Sequence, residues 1–244
     1  MTPTFMLAKD ISFYSPQENI LFDEVLLDLA EKNPGTNFLR FWESPQMFIV
    51  LGRISKVEDD LNIEQIKSDC IPVLRRSSGG GTVLQGPGCL NYSLILSKSF
   101  HANVSDIKKS YEFILSQVVR VFDRLEVHTI FHPISDIALV AGEKKFSGNA
   151  QKRGRHCILH HGTILYNFDL GQIEKYLLFP KSVPEYRDNR RHLDFVTNVV
   201  LKVSDIKKEF YKEFKVSDID STVNALEKEQ LVSLVKTKNV IVEV

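Results

Sequence analysis

The chain has little cysteine, little tryptophan and no net charge. Its 244 residues include three cysteines and one tryptophan, and 31 basic side chains balance 31 acidic ones. Balanced charge removes the bulk field that draws a protein to nucleic acid or to an anionic membrane. Cys70, Cys89 and Cys157 are odd in number, far apart and outside any CxxC spacing. That pattern excludes a disulfide scaffold or thiolate zinc site and fits a reducing cytoplasm. No apolar run approaches the ~20 residues needed to cross a bilayer. The opening Met1-Thr2-Pro3-Thr4-Phe5 has no basic segment ahead of an apolar core, so no secretory leader is read. Without secretion, the glycosylation sequons at Asn91 and Asn103 are chance matches. Internal repeats and low-complexity tracts are also missing.

What is present is core material: 43% apolar residues, with 16 phenylalanines, in a length suited to one large domain. Ile20, Leu21, Val25, Leu26, Leu29 and Ala30 form a helical stripe that ends near Asn33-Pro34-Gly35. Phe38–Trp42 and Met47–Leu51 read as strands, and a short helix near Ile63–Asp69 leads into Pro72–Arg76. Cys89–Leu96 is a further strand. Ser105 reads as the N-cap of a long helix whose apolar stripe runs from Ile107 to Phe122. Three strand-like runs then cluster at Asp136–Val140, Lys144–Ala150 and His156–Tyr166. After them come a helix around Gly171–Leu178, a basic loop, and two helical patterns ending in Val240-Ile241-Val242. Strands in adjacent runs predict an α/β (α+β) fold with a mixed, mostly antiparallel sheet and packed helices.

Two segments carry chemistry. The first is Arg75-Arg76-Ser77-Ser78-Gly79-Gly80-Gly81-Thr82-Val83, followed by Leu90-Asn91-Tyr92-Ser93. Three consecutive glycines remove every Cβ and let a ligand approach the backbone closely. The arginines are planar donors suited to phosphate or carboxylate. The loop therefore reads as a seat for an anionic small molecule, with a mobile hairpin tip as the alternative. The second is Lys144-Lys145-Phe146-Ser147-Gly148-Asn149-Ala150-Gln151, with Asp136 before it and His160-His161-Gly162-Thr163-Ile164-Leu165 after it. Alternation along a strand puts Lys145 and Ser147 on one face and Phe146 on the other. Lys145 is either a partly desolvated cation or a solvated lysine after a hairpin. His161 reads first as a strand histidine satisfied by a carbonyl, and Gly162 as a place where backbone or ligand comes close.

Taken in order, Arg-Arg-x-Ser-Gly-Gly-Gly-x-Val, Leu-Asn-Tyr-Ser, Lys-Phe-Ser-Gly-Asn-Ala-Gln and His-Gly-Thr-Ile-Leu resemble the lipoate–protein ligase A family. The similarity runs from about Phe38 to Asn198. The resemblance implies a fold like that of biotin ligases and class II aminoacyl-tRNA synthetases, with an apolar acyl tunnel meeting a polar nucleotide arm. It implies that lipoate or octanoate is activated by ATP and Mg²⁺ to an acyl-adenylate and passed to a lysine of a carrier. The carriers would be lipoyl domains of 2-oxoacid dehydrogenase complexes or the glycine cleavage H protein. It assigns Lys145 as the essential lysine. Arg76, Ser78, Gly79, Gly80 and Gly81 become the loop around the acyl-adenylate, and Asp136 a ligand for Mg²⁺. Asn91, Ser147, Gly148, Asn149, Ala150, His161, Gly162 and Thr163 join the binding set, while Arg187, Arg190 and Asn198 more weakly resemble a downstream segment of the family.

Two departures qualify the resemblance. Gln85 stands where many relatives have histidine, so no proton transfer occurs at that position. Residues 1–244 read as one catalytic domain without the accessory C-terminal domain of many full ligases, leaving open a separate accessory subunit. The rival reading is an octanoyl or lipoyl transferase that works through a cysteine thioester without ATP. A non-catalytic module that binds lipoyl domains or an acyl-nucleotide is the third.

Overall fold

A computed structural model describes residues 6–33, 35–133, 135–181 and 183–244. Strand β1 (Met6–Asp10) leads into helix α1 (Pro16–Lys32). Ser15 caps α1 by accepting from the Glu18 N–H, and Pro16 sits in the first turn, where a missing N–H is harmless. Of the expected stop after α1, Pro34 lies outside the described residues, as do Met1 to Phe5. Strands β2 (Asn37–Trp42) and β3 (Phe48–Leu51) are followed by short helices α2 (Val57–Asp60) and α3 (Ile63–Ser68). Strands β4 (Val73–Arg75) and β5 (Val83–Gln85) flank the glycine loop. Strand β6 (Cys89–Ser97) precedes the long helix α4 (Ile107–Arg124). Four strands come next: β7 (Thr129–His132), β8 (Asp136–Leu139), β9 (Lys145–Arg153) and β10 (Cys157–Leu165). The chain continues through α5 (Gly171–Tyr176), α6 (His192–Phe195), α7 (Val203–Glu213), β11 (Val216–Asp220) and α8 (Ala225–Thr237).

Eight strands form the main sheet in the order β11-β1-β2-β6-β10-β9-β8-β7, and β4-β3-β5 make a small second sheet. Only β1 pairs in parallel within the main sheet, with β2 and β11. The remaining pairings of that sheet are antiparallel. The expected mixed, mostly antiparallel sheet is therefore observed. All of β6 is buried because both sheet faces are covered. Tyr92 and Leu94 point into a core with Ile114, Val118 and Phe122 of α4 and Phe210 of α7. Ile95 and Leu159 point to the other side, against Phe22, Val25 and Leu26 of α1. A third core joins Ile49, Leu51, Val73 and Leu84 of the small sheet to Cys89, Leu165 and Phe195. Arg40 is fully buried on β2, pairs with Asp23 of α1 at 2.7 Å, and so fixes α1 against the sheet.

Three local expectations are corrected. The cap of α4 is Asp106, whose carboxylate accepts from the Lys109 N–H at 2.8 Å. Ser105 closes the preceding 3-10 turn and donates to the Lys98 carbonyl instead. Strands β1, β7 and β11 are short and lack clear alternation, and the pattern reading omits them. Finally, Lys145, Phe146 and Ser147 do not alternate simply. The β8–β9 register shifts, pairing Ile137 with Ser147 but Ala138 with Lys145. Phe146 is thereby left unpaired in a bulge, and its ring packs edge-on against Phe122 at 4.8 Å.

Candidate active site

The small sheet holds the glycine loop over the main sheet, and arginines brace it from within. Arg76, only 8% exposed, donates from Nη2 to the Gly79 and Gly81 carbonyls at 2.7 Å each. Its Nη1 donates to the Val50 carbonyl at 3.2 Å, and its Nε to Ser78 Oγ at 3.0 Å. Burial draws its pKa down to about 10. Among the described residues no carboxylate pairs with it. Arg75 does the same for the adjoining turn, donating to the Gly52 and Ser55 carbonyls at 2.8 and 2.7 Å. Both arginines therefore build backbone before they meet any ligand, which their residue type alone does not reveal.

Of the three glycines, only Gly80 has a left-handed φ, +84°. A Cβ there would come within 3.0 Å of Arg76 Nη2 and 3.5 Å of Ala150 on β9. Gly79 and Gly81 face open space. Gly52, which the sequence does not single out, is also required: a Cβ at Gly52 would collide with the Gly80 carbonyl.

The bulge in β9 aims Lys145 back over its own strand. Nζ and Cε of Lys145 both lie 2.9 Å from where a Cβ of Gly148 would stand. Lys145 Nζ pairs with Asp136 Oδ1 at 2.8 Å, and the lysine side chain is 27% exposed. It is thus half-buried and ion-paired. The other oxygen of Asp136 accepts from the Tyr186 hydroxyl at 2.8 Å. Tyr186 stacks on His132 with ring centroids 3.8 Å apart. Tyr186 is a site residue that sequence reasoning misses, because the long segment after β10 returns to β9 only in the fold. That return is fixed by the Lys145–Val196 bridge and by the Thr197 N–H donating to the Lys145 carbonyl at 2.9 Å.

Strand β10 supplies the opposite wall. His161 faces Ala150 across the β9–β10 ladder. Its Nε2 lies 2.6 Å from Ser78 Oγ, so the glycine loop is joined to the main sheet. Ser78 Oγ accepts from Arg76 and can therefore donate to His161. Burial and then Arg76 bring the His161 pKa down to about 3, leaving Nε2 free to accept. The Thr163 hydroxyl accepts from the Gly148 N–H at 3.4 Å. At Gly162 the close approach is made by protein groups. A Cβ there would collide with Asn149 Oδ1 and crowd the Tyr92 ring. Tyr92 donates to that same oxygen, while Asn149 Nδ2 donates to the Ser135 carbonyl at 2.8 Å and to Ser147 Oγ at 3.2 Å. Ser147, Asn149 and Gly162 thus form a buried brace beneath the site. Asn91 is paired too, exchanging two 2.9 Å hydrogen bonds with Gln85.

The thiols stand apart from this arrangement. Cys89 and Cys157 are fully buried, and burial raises both thiols, Cys157 to about 11. Cys70 is exposed just after α3. Downstream, Arg190 donates to carbonyls, those of Arg187, Gly142, Glu143 and Tyr186, with Gly142 at 2.9 Å, and Asn198 exchanges hydrogen bonds with Phe168 backbone. Among the described residues no group of three His, Cys, Asp or Glu side chains could hold a metal. Surface concavities of about 430 Å³ and about 500 Å³ lie beside Tyr211 and beside Asn239. Lys145 and the glycine loop line neither, so neither corresponds to the implied acyl tunnel. Among the described residues, no helix is long and apolar enough to cross a membrane.

With this geometry in place, comparison with known proteins is decisive for the family. The sequence model of the lipoyl protein ligase A/B catalytic domain matches residues 15–224. The chain belongs to that family. Within it, the chain is 30% identical over 179 residues to a probable lipoate-protein ligase A of Mycoplasma genitalium, covering 73% of this chain and 51% of the relative. An octanoyltransferase LipM of Oceanobacillus iheyensis is 28% identical over 202 residues, covering 76% and 74%. The chain spans about half the length of the mycoplasma ligases it matches. Its fold is that of solved lipoate ligases. The bi-partite lipoate protein ligase of Thermoplasma acidophilum, studied with its E2 lipoyl domain, superposes with a TM-score of 0.79 at 20% identity, covering 96% of this chain and 92% of that one. A lipoate-protein ligase A bound with ATP superposes at 0.77 with 20% identity, covering 96% and 95%. The family contains enzymes of two chemistries, ligases and octanoyltransferases.

Proposed function

We propose that this chain is an ATP-dependent ligase that activates lipoate or octanoate as an acyl-adenylate and delivers the acyl group to a carrier lysine. The observation that carries the reading is positive charge without negative charge to match it. Arg76 is buried with no acidic partner among the described residues, and it underlies the loop facing the Lys145 strand. A buried cation of this kind favours an anionic occupant. Joining a carboxylate to a triphosphate brings anions together, and preorganised donors lower that barrier.

In the first step a carboxylate oxygen of the fatty acid attacks the α-phosphorus. The bond from that phosphorus to the pyrophosphate oxygen breaks, and pyrophosphate leaves with the electron pair. Lys145 holds the carboxylate and α-phosphate oxygens together, while the loop from Ser78 to Gly81 covers the mixed anhydride. In the second step the neutral ε-amine of the carrier lysine attacks the acyl carbon. The carbon–oxygen bond to AMP breaks, an amide forms, and the amine proton leaves to solvent. Lys145 then steadies the developing oxyanion and is not the nucleophile.

Mg²⁺ usually takes one or two carboxylates and keeps phosphate and water as its other ligands; Asp136, whose oxygens also meet Lys145 and Tyr186, would offer it a remaining lone pair. Bound there with ATP, the ion would supply further positive charge to the phosphates. The acceptors would be lipoyl domains of 2-oxoacid dehydrogenase complexes or the glycine cleavage H protein, in the cytoplasm, with or without an accessory subunit.

The thioester transferase is the second reading, supported by the octanoyltransferase relatives. Against it, the buried thiols at Cys89 and Cys157 have raised pKa values and little thiolate at neutral pH. The test is ATP–pyrophosphate exchange with lipoate or octanoate and Mg²⁺, beside octanoyl transfer from an acyl carrier protein without ATP. Exchange that survives in Cys89→Ser and Cys157→Ser supports the ligase. Transfer without ATP, lost on replacing one cysteine, supports the transferase.

A further inference from the structure

Arg187 is a buried cation of a different kind. It follows Tyr186 in the chain and is 4% exposed. Its guanidinium carbon lies 4.7 Å from the centroids of both the Phe179 and Phe195 rings, so the group is sandwiched between two aromatic faces. Nε donates to the Arg190 carbonyl at 2.9 Å. Nη2 is buried and has no hydrogen-bond partner among the described residues. Among the described residues no carboxylate forms an ion pair with it.

An aromatic sandwich stabilises the guanidinium face-on but leaves its N–H edge unsatisfied, and an unsatisfied buried donor is costly. A structural pillar needs no such edge. Its chain neighbour Tyr186 belongs to the proposed site: Tyr186 donates to Asp136, and Asp136 pairs with Lys145. Phe179, one wall of the sandwich, is 45% exposed.

We propose that Arg187 is a nucleotide-binding residue, its Nη2 edge taking an oxygen of the β- or γ-phosphate when Phe179 turns aside. This deepens the ligase reading and rests on it. Lys145 would serve the reacting carboxylate and α-phosphate, and Arg187 the part of ATP that departs as pyrophosphate. A planar guanidinium suits that role because it can grip phosphate with two parallel N–H groups.

The test is equilibrium titration of the intact chain with ATP–Mg²⁺ and, separately, with AMP. Wild type, Arg187→Met and Arg187→Lys are compared, and each melting temperature is recorded. Losing a charged hydrogen bond weakens binding by about 10-fold or more, so Arg187→Met is expected to weaken ATP to that extent and AMP by less than about 2-fold. Arg187→Lys keeps the cation between the rings and guards against misfolding. It is expected to fold like wild type and to lose part of the ATP affinity only. Unchanged ATP affinity, or equal weakening of ATP and AMP, overturns the assignment and leaves a structural pillar. A wild-type chain that binds neither nucleotide overturns the ligase reading itself, a result distinct from any effect of the variants.

Discussion

Lys145 Nζ pairs with Asp136 Oδ1 at 2.8 Å while lying 2.9 Å from the point where a Gly148 Cβ would stand. The lysine therefore depends on the glycine three residues later for its position. Replacing Gly148 with alanine should push the ammonium away. The displaced atoms are the end of a flexible chain, so the fold should hold. We expect Gly148→Ala to melt close to wild type and to lose about 10²–10³-fold in adenylation, the usual scale for one preorganised donor. Single-turnover acyl-adenylate formation checks this, and wild-type rates would refute the placement. Lys145→Ala should lose at least as much, and the double variant little more, because both act on one group.

Gly162→Ala should behave in the opposite way. Its new methyl would collide with the Asn149 carboxamide and crowd the Tyr92 ring, all well inside the core. Overpacking of this kind costs about 1–3 kcal/mol. Urea denaturation should show that loss with an unchanged m-value. Equal stability would mean that the Tyr92–Asn149 brace is loose.

His161 links stability to pH. Its folded pKa, about 3, lies below the ordinary histidine value. The unfolded state therefore binds the proton first as the pH falls. Stability from the neutral histidine is present above about pH 6.5 and is lost progressively as the pH drops toward 3. The slope is about 1.4 kcal/mol per pH unit for one histidine. His160, also drawn down to about 3, should add a similar slope. His161→Gln, which keeps a polar partner for Ser78, should flatten the curve by roughly one histidine's share. An unchanged pH profile would show that His161 is solvated in the folded chain.

The reach of the sequence differs from segment to segment. Helices α1 and α4 were legible because long apolar stripes and polar caps are local signals, although the true cap of α4 lay one residue beyond Ser105. The glycine loop and the lysine strand were legible as motifs. Their internal arrangement was not. The β9 bulge breaks the alternation on which any facing argument rests, and a bulge is set by the partner strand. The donors of Arg76 look available for phosphate in sequence but are turned to carbonyls of its own loop. At Gly162 the sequence shows a close approach by backbone or ligand, but not that the Asn149 side chain makes it. Tyr186 and Gly52 had no local signal, since each is defined by a contact distant in the chain.

The central claim is that Lys145, the glycine loop and the buried charge of Arg76 serve a carboxylate meeting ATP. Lipoate- or octanoate-dependent exchange of labelled pyrophosphate into ATP tests this most directly, for wild type and Lys145→Ala. The account predicts exchange by wild type that requires the fatty acid and falls about 10²–10³-fold in the variant. No exchange by a folded wild-type chain that transfers octanoyl groups without ATP would contradict it.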